Sequence, residues 1–251
     1  RLPNSGKGER DMKKAAIYLL LGLFALLVLH PGLNSSYTAP DVRVPTVNNS
    51  GSTTNEDATM TSSQSHAVIA VDAGHGGSDY GYVSDTTIPE KDINLDLALA
   101  IGRKLSAAGY QVVYTRESDD VPVFDTEAAS SQDRLRRMKE QGVQYLVSVQ
   151  LSSSPDPLAR GFAVFTQPQS QLEELGAAAG QAVSAINLSS FEGVDSDHYA
   201  NFPILMDRDV PSILLELGYV TNPDDYAKLT DSSYQDRIGE AVAEAFLKVV
   251  N

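Results

Sequence analysis

The sequence predicts an α/β fold, a single domain with a largely parallel, twisted sheet of about six strands and helices on both faces. Three observations carry this. Short apolar runs without polar alternation, such as "AVIAVD" (67–72) and "YLVSVQ" (145–150), have the character of strands buried on both faces. Longer stretches with helical periodicity lie between them, two of them stopping at a glycine. The two kinds of segment alternate along the chain, which is the pattern of a sheet covered by its own crossovers.

The elements follow in order. "AVIAVD" (67–72) is read as the first strand, and "INLDLALAIGRKLSAAG" (93–109) as a helix closed by Gly109. "QVVYT" (111–115) is the second strand. "TEAASSQDRLRRMKEQG" (126–142) is a polar helix that again ends at a glycine. "YLVSVQ" (145–150) and "GFAVFT" (161–166) are the next strands, followed by a helix over 170–189. "FPILM" (202–206) is expected to be the fifth strand and "PSILLELGY" (211–219) the sixth. An amphipathic helix over 232–250 ends the chain. No internal repeat and no second globular domain are visible.

Two segments precede this 66–251 domain. Residues 1–32 form a leader in which Lys13 and Lys14 stand before a charge-free apolar run, "AAIYLLLGLFALLVL" (15–29). Basic residues followed by an apolar run make an export signal. The run is fifteen residues long, whereas a spanning helix needs about 20. No small-x-small cleavage site follows it. The expectation is an apolar helix that exports the domain to the outer face of the cytoplasmic membrane or the cell wall, and that anchors it there if the leader is not cleaved, with the lysines on the cytoplasmic side. Met12 is the expected start of translation. Residues 33–65, rich in Ser, Thr, Asn, Pro and Asp, read as a flexible tether.

Composition narrows the function. The 251 residues carry 33 acidic and 19 basic side chains, a net charge of -14. Such a chain is a poor nucleic-acid binder, because phosphate contacts need Lys and Arg. It gains nothing from attraction to anionic polymers. The absence of cysteine excludes disulfides, thiolate metal sites and a Cys nucleophile, and does not fix the redox compartment.

The chemistry-bearing residues cluster at strand ends. The first strand runs into "DAGHGGSDYG" (72–81), where four glycines surround His75. The spacing fails the dinucleotide fingerprint, since Asp79 stands where the third glycine belongs, and no Walker lysine follows. The glycines instead let the backbone crowd around His75. Glu90 opens a helix, where a carboxylate also favours the helix dipole. Glu216 lies inside an apolar strand, and an ionised carboxylate there is costly unless it is paired or belongs to a site. Gln150 ends the third strand. An amide there caps a loop in many proteins, and in open α/β sheets the same position also faces the ligand crevice. From the residues alone both readings stay open.

"VDAGHGGSDYG", "EKDINLDLA", "VVYTRESD" and "PSILLELGYVTNPDD" together resemble the zinc-dependent N-acetylmuramoyl-L-alanine amidases, the catalytic-domain family of cell-wall, spore-germination and cell-separation amidases. The resemblance covers residues 67–251. It implies that His75 and Glu90 are zinc ligands and that Glu216 is the catalytic glutamate. It implies a zinc-activated water cutting the amide between N-acetylmuramic acid and L-alanine of peptidoglycan. Arg116, in "TRESD", matches a family position without an assigned role. The family's third ligand is a histidine in a Ser-x-His-x-Asn pattern, and here the pattern reads Ser148-Val149-Gln150-Leu151-Ser152. The helix before it also departs, with Met138 and Lys139 after Arg134 where Ala-Asn is usual.

A neutral amide oxygen holds zinc less tightly than imidazole. Three readings follow. Gln150 ligates in a weaker site, another histidine replaces it, or the domain is a catalytically impaired module that binds peptidoglycan or a protein partner. His198, in "DSDHYANF", is the candidate replacement; His66 and His30 are placed less well. The expected cofactor is zinc, with Gln150 as third ligand. The expected partners are peptidoglycan and, through the N-terminal segment, the membrane, with an activating protein left open.

Overall fold

The computed structural model describes residues 67–250. The leader, the apolar 15–29 run and the tether lie outside the described residues. Among the described residues no helix is long and apolar enough to cross a membrane.

The fold is the expected α/β domain. Its strands are β1 (Val68–Ala73), β2 (Gln111–Tyr114), β3 (Tyr145–Ser152), β4 (Phe162–Thr166), β5 (Phe191–Asp195) and β6 (Ser212–Tyr219). Its helices are α1 (Glu90–Ala107), α2 (Glu127–Glu140), α3 (Ser170–Ala185), α4 (Pro223–Leu229) and α5 (Ser232–Val249). The sheet order is β2-β1-β3-β6-β4-β5. All neighbours are parallel except β4 and β6, so β4 and β5 run against the other four.

Side-chain alternation divides the sheet into two faces. Ile69, Val71, Val147, Val149, Ile213 and Leu215 point into one core, which also holds Ile93, Leu97 and Ile101 of α1 and Ile238, Val242 and Phe246 of α5. Asp72, Ser148, Gln150 and Glu216 take the alternate positions and face the side of α2. The first crossover, through α1, packs on one face and the second, through α2, on the other. The chain therefore leaves β1 for β2 and returns to β3 on its other side. A crevice opens at the carboxyl ends of strands where connections diverge in this way, here between β1 and β3.

Two expectations fail locally. Residues 202–206 are not a strand: Pro203–Leu205 form a 3-10 turn, with Leu205 N–H donating to Phe202 O at 2.9 Å. Phe202, Ile204 and Leu205 are buried as a strand's residues would be, and a short apolar run does not by itself distinguish the two. Pro203 also has no N–H for a ladder. The missing strand is β5, "FEGVD", a mixed sequence that pairs with β4 alone at the sheet edge. Helix α4 was also unanticipated. Asn222 caps it by accepting from the N–H groups of Asp224 and Asp225, and Pro223 occupies its first position.

Candidate active site

The site begins with the turn after β1. His75 has φ 62°, a left-handed conformation rare for a residue with a Cβ. The turn closes through mutual backbone bonds between Gly76 and Asp79, 2.9 and 3.0 Å. Lys91, buried, donates to Gly77 O at 2.7 Å and to Asp119 Oδ2 at 2.5 Å, while Gly77 N–H donates to Asp119 Oδ1. The loop thus gains an internal cation and a carboxylate clasp.

His75 is gripped at both ring nitrogens. Nδ1 lies 2.9 Å from Asp79 Oδ2 and Nε2 lies 3.3 Å from Glu90 Oε1. Burial favours the neutral ring, but the bonds to Asp79 and Glu90 outweigh it and push His75 up to about 10. Glu90 is set by its helix. Pro89 flanks α1, which opens at Glu90 as expected, three residues before its apolar periodicity begins, and so places Glu90 in the first turn. Burial would raise the Glu90 carboxyl, yet it lies below the usual carboxylate range. His75 and the N–H groups of Tyr82 and Leu151, each 2.9 Å from a carboxylate oxygen, hold it ionised. Leu151 belongs to β3, so Glu90 ties α1 to the strand that carries Gln150.

β3 and β6 add the remaining candidates. Their register pairs Gln150 with Glu216. Gln150 is 9% exposed and its amide bonds to no described residue. A Cβ on Gly74 would lie 2.9 Å from Gln150 Cγ and 2.8 Å from Val149 O, so the glycine next to His75 lets β1 sit tightly against Gln150. Glu216 is 7% exposed. Burial pushes its carboxyl up to about 7; a bond from Ser152 pulls it back, and the Glu90 charge raises it further. The structure therefore brings His75, Glu90, Gln150 and Glu216 together beside the carboxyl ends of β1 and β3.

His198 does not join them. It follows β5, an edge strand that runs against β1, so its loop leaves from the opposite end of the strands. Its Nδ1 lies 2.9 Å from Asp195 Oδ2. Asp79, Lys91 and Asp119 are site-building residues that reading the sequence missed. Asp79 had one available signal, its position four residues after His75 in a glycine-rich turn.

The donor set fits a divalent cation in part. An imidazole nitrogen and a carboxylate oxygen converge, each fixed by outer hydrogen bonds. Gly81, at φ 60°, leaves the room they need, since a Cβ there would lie 2.7 Å from both Glu90 Oε2 and His75 Cδ2. The third corner is an amide, and among the described residues no group of three His, Cys, Asp or Glu is placed to hold a metal.

Known proteins share this architecture. The family described as N-acetylmuramoyl-L-alanine amidase matches residues 69–248. "Probable cell wall amidase LytH" of Staphylococcus saprophyticus is 32% identical over 180 residues, covering 70% of this chain and 56% of that protein. The chain thus spans about half the length of these LytH relatives, 56% of each. The crystal structure of N-acetylmuramoyl-L-alanine amidase from Clostridium difficile 630 superposes with TM-score 0.65 at 26% identity, over 74% of this chain and 97% of that one. The CwlD amidase from Clostridioides difficile, solved in complex with the GerS lipoprotein, gives TM-score 0.61 at 27% identity, over 73% and 98%. The family match runs across nearly the whole described domain and the architecture agrees with it, so this chain belongs to the N-acetylmuramoyl-L-alanine amidase family.

Proposed function

We propose that the chain hydrolyses the amide bond between N-acetylmuramic acid and L-alanine in peptidoglycan, with zinc held by His75, Glu90 and Gln150 and with Glu216 moving the proton. One observation carries this reading. Glu216 is a buried carboxyl that burial pushes up to about 7, paired in register with Gln150 beside the point where His75 and Glu90 converge. A general base works best with a pKa near the operating pH.

The residues divide the work. Asp79 engages His75 Nδ1 and leaves Nε2 as the donor toward the site. The Tyr82 and Leu151 N–H groups keep the Glu90 carboxylate in place. Gln150 presents a neutral oxygen. Bound zinc would lower the pKa of the attacking water and polarise the scissile carbonyl. Glu216 accepts the water's proton and delivers it to the departing alanine amine, so the acyl carbon gains the hydroxyl oxygen as the C–N bond breaks. The proposed place of action is outside the cytoplasmic membrane, with the 15–29 run as export signal and anchor. The cell-wall naming of the LytH relatives supports it.

The test uses the full chain, measuring bound zinc by elemental analysis and free alanine amino termini released from purified cell wall. About one zinc per chain is expected, one set of three protein ligands holding one ion with a position left for water, together with release. No zinc at excess metal and no release would refute the reading. A second reading is favoured by the donor set: among the described residues no group of three His, Cys, Asp or Glu is placed to hold a metal, and the third corner is the neutral amide of Gln150. In it the domain is an impaired amidase module that binds peptidoglycan or a protein, as CwlD is seen with a lipoprotein. Wall binding without release, with release appearing in Gln150→His, would favour that second reading.

A further inference from the structure

Arg116 is buried, 6% exposed, and makes no ion pair within 4.0 Å among the described residues. Burial is the largest influence on it and pulls its pKa below the usual arginine range. A buried cation without a bonded carboxylate is costly, and an apolar side chain of similar size would fill the space without that cost. Its partners explain its presence. Nε donates to Ala73 O at 3.2 Å, and Nη2 donates to Gly74 O at 3.1 Å and to Lys91 O at 2.7 Å. Nη1 reaches Ser118 O at 3.4 Å.

Those carbonyls have telling positions. Ala73 and Gly74 lead directly into His75, and Lys91 directly follows Glu90. One planar group thus spans the two segments that carry the converging donors. The left-handed backbone of His75 is a strained conformation that persists only where its surroundings over-determine it. Arg116 holds the two carbonyls just before it. Asn94 Nδ2 adds a longer bond to Gly74 O, 3.4 Å.

We propose that Arg116 is a positioning residue for the cation site: its guanidinium sets the separation of His75 from Glu90 by binding the backbone on both sides. The inference rests on the metal-dependent reading above. Lysine cannot replace it, because an ammonium is a point donor on a flexible stem and does not span three carbonyls in one plane.

The experiment measures zinc affinity by competition with a chromophoric chelator, and thermal unfolding of the metal-free protein, for the full chain and for Arg116→Lys and Arg116→Ala. The expected result is a folded Arg116→Lys whose zinc affinity falls about 10–100-fold, the range typical of lost outer-shell support. Millimolar guanidinium, but not methylammonium, should restore affinity to Arg116→Ala. A purely structural role would lower the unfolding temperature and leave zinc affinity unchanged, and that result would overturn the proposal. Failure of both variants to fold would overturn it too, because Arg116 would then serve the fold alone. If the unsubstituted chain binds no zinc, the metal-dependent function falls together with this inference. If it binds zinc and the variants bind equally well, only this inference falls.

Discussion

Glu216 shows how a residue's surroundings set its chemistry. A carboxyl inside β6 would be an anomaly in a simple core strand, and that anomaly was visible in the sequence. Its protonation behaviour was not, because desolvation depends on what packs over it. Burial raises the group from 4.5 to about 7, so ionisation opposes folding. A carboxyl raised in this way contributes its stability fully below the unfolded value, and that contribution is lost as pH rises from 4.5 through 7. Glu216→Gln does not ionise. The variant is therefore expected to gain stability over the parent across that window, reaching about 3 kcal/mol above pH 7 at 1.36 kcal/mol per unit. Urea unfolding of the metal-free proteins at pH 4, 6 and 8 measures this. The same variant should lose about 10²–10⁴-fold in peptide release if Glu216 moves the proton. A rise in stability with loss of turnover is the signature of a residue kept for function. Gln150 is the contrasting case. Its identity was plain in the sequence, but its setting, buried, unbonded and facing Glu216, came from the β3–β6 register.

At the scale of elements, the site depends on how closely β1 approaches β3. Gly74 donates its N–H to Val149 O at 3.0 Å, and no Cβ fits between the strands there. Gly74→Ala would force a methyl against a backbone oxygen and against Gln150 Cγ. The expected loss is about 1–3 kcal/mol, as for other overpacked positions. Denaturant unfolding measures it, and an unchanged midpoint would show that the strands separate freely. The helix carrying Glu90 was legible as an element and Glu90 was placed at its opening, although its apolar periodicity begins only at Ile93. Proline at the boundary and two acidic residues in the first turn explain the earlier start. β5 and the 203–205 turn were exchanged in the sequence reading for a plain reason. A buried apolar run resembles a strand whatever its backbone does, and an edge strand paired on one side tolerates a polar sequence.

Across the whole molecule, the crevice is supported from below by a buried ion pair. Arg134 Nη1 of α2 lies 2.7 Å from Asp72 Oδ1 of β1, and Ser148 Oγ of β3 donates to Asp72 Oδ2 at 2.6 Å. One carboxylate thus joins a helix to two strands. Arg134→Met would leave Asp72 charged without its partner, with an expected loss of about 3–5 kcal/mol. Adding Asp72→Asn should recover part of it, and a double-mutant cycle by urea unfolding reads the coupling. Additive losses would mean the pair is not coupled. The sequence by itself determined the fold class, the family resemblance, the two intact motifs around His75 and Glu90, and the departure at Gln150. These are local properties, written in apolar runs, glycine spacing and residue identity. Tertiary structure alone decided that His198 lies at the far edge of the sheet, that Asp79 bonds His75, that Arg116 bonds the backbone just before His75 and just after Glu90, and that burial pushes the Glu216 carboxyl up to about 7. Each depends on strand direction, on burial or on contacts between residues far apart in the chain, and the order of residues along one strand encodes none of them.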